Sequence, residues 1–400
     1  MRKSLPSLSF LAAVLLLGSG AAAPRPLEDA AKPRAASAPP VSPQLQVHFL
    51  DVGTGDCIWI RTGDDGIPGN GQLEGYNILI DGGDAPSFGR VDGYKAASAY
   101  LQEDDRLPKD STIHWLICTH PHSDHCGGLD NFLDDYDVLN ILDPGHDPLN
   151  EDGVPASARP DSVYGRFFTR AATEQVNGQL SRFHFGLPAN LALNWGSELR
   201  AEILHASKTI LANDLNNTSI VLALRYRDPG KTVSFLFMGD AEEAVEELLV
   251  EGMGDLLQAT VLKAGHHGSH SSTTRAFLRE VKPAHVVISS GNQKFSATML
   301  PASETLARIE EVSTELNLGT KTWRTDRGDK EPLVPVGQEA GDVTVLAQTD
   351  GVTLTIRYAS DGGVSAPVVT VDRCQAITLQ GTQCTRKPKD GSTFCWQHQP

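Results

Sequence analysis

Cysteine is scarce in this chain, with six in 400 residues, too few for a fold held together by a disulfide framework. Long apolar runs are lacking too. The longest, residues 8–17, falls short of the roughly 20 residues that a spanning helix needs, which excludes a polytopic membrane protein. Positive charge is in deficit: 34 Lys and Arg stand against 50 Asp and Glu, a formal net charge of -16. Such a balance argues against a protein that grips nucleic acid mainly by neutralising phosphates. It leaves open a nuclease that works through bound metal ions. No internal repeat is evident. What is present, at 40% hydrophobic and 21% charged residues, is the composition of a globular, enzyme-sized body.

The ends of the chain read differently from its middle. Arg2 and Lys3 precede the apolar run, and Gly18, Ser19, Gly20 and Ala21 to Ala23 follow it. That order of charged, apolar and small residues predicts a secretory signal at 1–22 and therefore an exported, periplasmic or extracellular protein. Its removal takes two positive charges and no acidic ones, so -16 becomes -18. Residues 23–44 repeat Pro, Ala and Ser and read as a flexible linker. The folded body is expected over 45–371, and a short tail over 372–400.

Between residues 45 and 358 apolar runs alternate with turn signals and helical patterns, the rhythm of a layered α/β or α+β body. Strands are expected at 46–51, 57–61, 76–81, 114–119, 199–205, 219–226, 232–238, 260–263 and 286–289, with a terminal hairpin from 343–348 and 352–358. Helices are expected at 94–102, 162–173, 241–250 and 302–312. The segment 147–179 reads either as a lid or as a packing insertion.

The strand that ends at Thr119 delivers His120-Pro121-His122-Ser123-Asp124-His125, followed by Gly127-Gly128-Leu129. Four potential metal ligands within six residues are hard to explain as structure, because such groups resist burial unless paired or metal-bound. Imidazole and carboxylate suit zinc, manganese or iron, and alternate positions on a tight loop can address two adjacent ions.

With these residues the chain resembles the metallo-β-lactamase superfamily, whose signature is His-x-His-x-Asp-His. Further segments extend the resemblance to the hydrolase domain of competence proteins of the ComEC type. They are Phe49 to Asp56, Leu79-Ile80-Asp81-Gly82-Gly83, Asn216-Asn217-Thr218-Ser219, Met238-Gly239-Asp240, Lys263 to Ser269 and Arg324-Thr325-Asp326. The resemblance implies an αβ/βα four-layer sandwich, an α+β fold, and two divalent metal ions, zinc or manganese. It places His120 and His122 on the first ion, Asp124 and His125 on the second, and Asp240 between them. Two adjacent cations acidify a shared water and clamp the attacking and leaving oxygens of a displacement. Asp124 beside that water is a candidate catalytic group. His267 is expected as a ligand or transition-state contact, with His266 as its supporting neighbour, and Asp81 as a carboxylate bracing a ligand histidine.

Asn217 and Ser219 stand where related proteins often carry a further histidine. They either bind a substrate oxygen or cap the turn. Leu300-Pro301 replaces the His-Pro of the resembling family, so one ligand is missing, or His146 or His205 replaces it. Asp51 and Asp56 read as turn residues and His270 as surface. The expected activity is hydrolysis of a phosphodiester, in single-stranded DNA or a nucleotide. The rivals are hydrolysis of a lactam, lactone or thioester, and a metal-stabilised binding protein that is not an enzyme.

In the tail, Cys374, Cys384, Cys395 and His398 could close a tetrahedral structural zinc site of the knuckle type. A disulfide with one spare thiol is the alternative in an oxidising compartment. Cys57, Cys118 and Cys126 form no Cys-x-x-Cys motif and read as core.

Overall fold

The computed structural model describes residues 44–63, 75–86, 91–177, 182–186, 193, 195–291, 294–295, 298–327, 344–361 and 369–370. The expected signal, the linker through residue 43 and the Cys/His tail lie outside the described residues. So does most of the loop after 291.

The first sheet contains β1 (Leu45–Phe49), β2 (Ile58–Arg61), β3 (Asn77–Ile80), β4 (Trp115–Ile117), β5 (Asn140–Asp143) and β6 (Arg182–Phe185). The second contains β7 (Leu199–His205), β8 (Val221–Tyr226), β9 (Ser234–Phe237), β10 (Val261–Lys263), β11 (His285–Ile288) and β12 (Lys321–Arg324). The chain then returns to the first sheet with β13 (Val345–Thr349), β14 (Thr353–Tyr358) and β15 (Val369–Thr370). The strand orders are β15-β14-β13-β1-β2-β3-β4-β5-β6 and β12-β11-β10-β9-β8-β7.

Each sheet is half meander and half crossover. Strands β13, β1, β2 and β3 pair antiparallel, and β3 through β6 are parallel. In the second sheet β7, β8 and β9 are antiparallel and β9 through β12 parallel. Parallel neighbours require crossovers. These are supplied by helices α1 (Gly93–Gln102), α2 (Ser123–Cys126), α3 (Leu129–Asp135) and α4 (Val163–Asn177) on the first sheet, and α5 (Glu243–Met253), α6 (Arg275–Val281) and α7 (Ser303–Glu315) on the second.

The strands read as continuous apolar runs because both of their faces are buried. On β4, Trp115 and Ile117 enter the core between the sheets, whereas Leu116 joins the core under α1, α3 and α4. On β9, Phe235 and Phe237 enter the inter-sheet core and Leu236 the core under α5 to α7. This alternation yields helix, sheet, sheet, helix: an αβ/βα sandwich. The segment 147–179 contributes α4, whose Tyr164, Phe167 and Ala171 are buried in the first helix-side core.

Candidate metal centre

Parallel strands place their C-terminal ends along one edge, where ligand-bearing loops gather. Asp81 follows β3, Thr119 and His120 follow β4, Asp240 follows β9, His266 and His267 follow β10, and Ser289 follows β11. His120, His125, Asp240 and His267 are all buried.

Hydrogen bonds behind three imidazoles fix their tautomers. The Nδ1–H of His125 donates to Asp81 Oδ2 at 2.7 Å, and that of His267 donates to the Ser289 carbonyl at 3.0 Å. The Thr119 hydroxyl is already committed to Asp81 Oδ2 at 2.6 Å, so its oxygen accepts from His120 Nδ1 at 3.2 Å. Each Nε2 is thereby left with a lone pair, and all three face Asp240 Oδ2, at 3.8 Å from His120, 3.1 Å from His125 and 3.3 Å from His267. His125 Nε2 and His267 Nε2 lie only 3.2 Å apart, and His120 Nε2 lies 3.0 Å from His122 Nδ1. Lone pairs do not approach each other in a dry interior unless a cation stands between them. Asp240 Oδ1 is also buried without a partner. The donor set therefore fits a divalent metal, and second-row hydrogen bonds of this kind orient metal-binding histidines.

Among the described residues two His/Asp groupings have donor atoms spaced for coordination: Asp124, His125, Asp240 and His267, and Asp56, Asp81 and His125. In the second, charge is already answered. Lys263 Nζ pairs with Asp56 Oδ2 at 2.5 Å and donates to the Gly239 carbonyl at 3.2 Å, while Asp81 is engaged by His125 and Thr119. The first grouping, extended by His120 and by His122 beside it, is the better seat for cations.

Electrostatics agree with that choice. Burial disfavours charge on His267, but Asp240, Asp124 and Asp56 outweigh it and push its pKa up to about 9. His125 is likewise raised, burial being overcome by Asp240 and Asp81. Burial also works against ionisation of Asp124 and Asp240, yet the neighbouring imidazoles hold both below the usual carboxylate range. The pocket attracts protons strongly, and a metal takes their place when it binds.

The remaining residues singled out by sequence surround this cluster. His266 Nδ1 donates to Glu242 Oε1 at 2.7 Å and its Nε2 lies 4.0 Å from Asp240 Oδ2. Asn217 is buried with its amide engaged at both ends: Oδ1 accepts from Glu242 N at 3.0 Å and Nδ2 donates to the Leu211 carbonyl at 3.2 Å. Ser219 Oγ accepts from Asp240 N at 3.1 Å. Both side chains therefore hold the turn that carries Asp240. Leu300 is buried, and its carbonyl accepts from Ser290 Oγ. Neither proposed substitute reaches the cluster. His146 Nδ1 donates to the Lys208 carbonyl at 2.8 Å, and His205 Nε2 donates to the Asn217 carbonyl at 3.0 Å. His270 is exposed, and Cys57, Cys118 and Cys126 are free and buried.

Sequence reasoning passed over Thr119, Ser289, Glu242 and Lys263. A signal existed for Lys263: period two along β10 puts it on the same inter-sheet face as Val261, and a cation there needs a buried partner.

Residues 72–206 match the family profile described as "Metallo-beta-lactamase superfamily". The chain is 26% identical over 249 residues to "Recombination protein 2" of Haemophilus influenzae, covering 62% of this chain and 24% of that protein. It is 25% identical over 266 residues to "ComE operon protein 3" of Bacillus subtilis, covering 63% and 29%. A shorter match, 43% over 58 residues, joins it to "Competence protein ComA" of Neisseria gonorrhoeae, covering 14% and 8%. The chain thus spans less than a third of the length of each of these relatives. Its match to the metallo-β-lactamase superfamily profile spans about a third of the chain, and its similarity to competence proteins is remote. The fold and the His/Asp clusters support a metal-dependent hydrolase. Among the described residues no helix is long and apolar enough to cross a membrane.

Proposed function

We propose that this chain is a metal-dependent phosphodiesterase holding two divalent ions, zinc or manganese. The observation that carries the reading is the convergence of three lone-pair imidazole nitrogens on Asp240 Oδ2. His120 and His122 would hold one ion, Asp124, His125 and His267 the other, and Asp240 would be available to both. Bound there, the ions supply Lewis acidity and a water nucleophile at neutral pH. The chain's own residues do the positioning. Asp81, Thr119 and the Ser289 carbonyl aim the imidazoles, and Asn217 and Ser219 fix the Asp240 turn. Asp124, with 18% of its side chain exposed, is the candidate catalytic group that would orient the water. His266 and Glu242 are also partly exposed.

Relatives named for recombination and competence incline the substrate towards single-stranded DNA or a nucleotide. The order of charged, apolar and small residues in 1–22 supports action outside the cytoplasm. The tail ligands Cys374, Cys384, Cys395 and His398 belong to this reading as a separate structural zinc site. The test is hydrolysis of an activated phosphodiester by the chain lacking residues 1–22, loaded with zinc or manganese, beside Asp124→Ala and Asp240→Ala. Turnover at least 100-fold lower in both variants is expected on the scale of losing a metal ligand or positioned base, roughly two to three powers of ten. Metal-loaded protein that leaves the phosphodiester intact would transfer the reaction to a lactam, lactone or thioester. Chain that takes up no metal would favour a binding protein.

A further inference from the structure

A lysine is laid across two glycines at the edge that carries the metal centre. Gly145 follows β5 and Gly186 follows β6, both with positive φ, 86° and 83°. A Cβ on Gly186 would stand 2.1 Å from Lys208 Cε and 2.5 Å from its Nζ, and one on Gly145 would stand 3.0 Å from Cε. Only bare backbone at both positions lets the lysine lie there. The segment bearing Lys208 leaves β7 and crosses from the second sheet to the first. His146 pins it by donating to the Lys208 carbonyl at 2.8 Å, and Ser207 N donates to the Thr218 carbonyl at 3.3 Å. Residue 218 belongs to the turn that supports Asp240, and Ile220 N donates to the Thr119 carbonyl beside His120.

Among the described residues the ammonium has no competing anion. Asp147 is turned to Ser157, and Asp143 to Gly145 N and the Tyr164 hydroxyl. Among the described residues no carboxylate lies within salt-bridge distance of Lys208, whereas the chain as a whole carries 50 acidic side chains against 34 basic. A placed, exposed and uncompensated cation is costly to keep still unless something binds it. The Nδ1–H of His146 is spent on the Lys208 carbonyl.

We infer that Lys208, on the same strand-end edge as the metal centre, is an anion-binding residue, taking a substrate phosphate other than the one being cleaved. This rests on the phosphodiester reading and narrows it to substrates with more than one phosphate. A lysine at such a site acts as a point charge on a phosphate and is insensitive to base identity.

The test is equilibrium binding of a fluorescent single-stranded oligonucleotide with hydrolysis-resistant phosphorothioate linkages to the zinc-loaded chain over a salt series. Lys208→Met is expected to weaken binding roughly five-fold and to flatten the log–log salt slope by about 0.7, the value for one phosphate contact on a single strand. Lys208→Glu should weaken it further. The control is Lys95→Met, which removes an equal charge from an exposed position on α1 and should leave both quantities unchanged. Equal weakening by Lys208→Met and Lys95→Met, or no binding by the unaltered chain, overturns the inference. Turnover of a single activated phosphodiester is scored separately. Lys208-dependent binding without any such turnover would keep the rim site and discard the phosphodiesterase, and turnover without Lys208-dependent binding would do the reverse.

Discussion

At the residue scale the site is decided by what lies behind the imidazoles. Asp81 is wholly buried and accepts from Thr119 N, Thr119 Oγ1 and His125 Nδ1. Burial raises its pKa, while His125 and Thr119 pull against that rise. Asp81→Asn keeps the shape but weakens the acceptor that fixes the His125 tautomer. Zinc affinity, measured by competition with a chromophoric chelator, should fall about 10- to 100-fold, the usual cost of losing such a partner. Unchanged affinity would mean that Asp81 merely fills space. The residue types were legible in the sequence because His-x-His-x-Asp-His and the downstream Asp and His-His are dense in donors. The acceptor behind His267 was not, because the Ser289 carbonyl is backbone and no side-chain pattern marks it. The roles of Asn217 and Ser219 were open for a similar reason, since an amide before a strand looks alike whether it faces a cleft or a turn.

At the element scale, strands with both faces buried announced themselves as apolar runs, and β7 (Leu199–His205) begins and ends where the pattern places it. The helices α1, α4, α5 and α7 were equally visible from their periodicity. Helix α6, seven residues long and too short to show a period, was not, and neither were strands β5 and β6. Helix α4 settles what part of 147–179 does, since Phe167 is fully buried under the first sheet beside Tyr164 and Ala171. Phe167→Ala should cost about 3–5 kcal/mol, transfer and cavity terms together. The check is the urea midpoint and slope. A loss below about 1 kcal/mol would show that α4 is loosely held, as a lid would be, and not packed core.

At the scale of the whole molecule, stability is set against pH by buried groups on opposite sides. Burial lifts the Asp143 carboxyl to about 7, against the pull of Gly145 N and the Tyr164 hydroxyl. Burial lowers His48 to about 3 and His285 to about 4. In the unfolded chain Asp143 ionises near the ordinary aspartate value of 3.8. Between that pH and 7 the folded state therefore holds the extra proton, and the Asp143 contribution to stability declines as pH rises. The histidines do the opposite: their contribution is complete above 6.5 and is lost as pH falls towards 4. Asp143→Asn removes one proton from this balance. Relative to the unaltered chain it should gain about 1.4 kcal/mol per pH unit through that window, the value of one linked proton. Urea unfolding at four pH values reads the slope, and parallel curves would show that Asp143 is ionised in the folded state. Net charge and apolar composition marked out one large folded body in the sequence, whereas the coupling between sheets through Lys263 and Asp56 depends on contacts distant along the chain.

The most direct measurement of the central claim is anomalous zinc scattering from crystals of the zinc-loaded chain. The account predicts two peaks about 3.5–4 Å apart, the usual separation of a paired site, one on the His120 and His122 side of Asp240 and one among Asp124, His125 and His267. No peak among these residues, or a peak only among Asp56, Asp81 and His125, would contradict it.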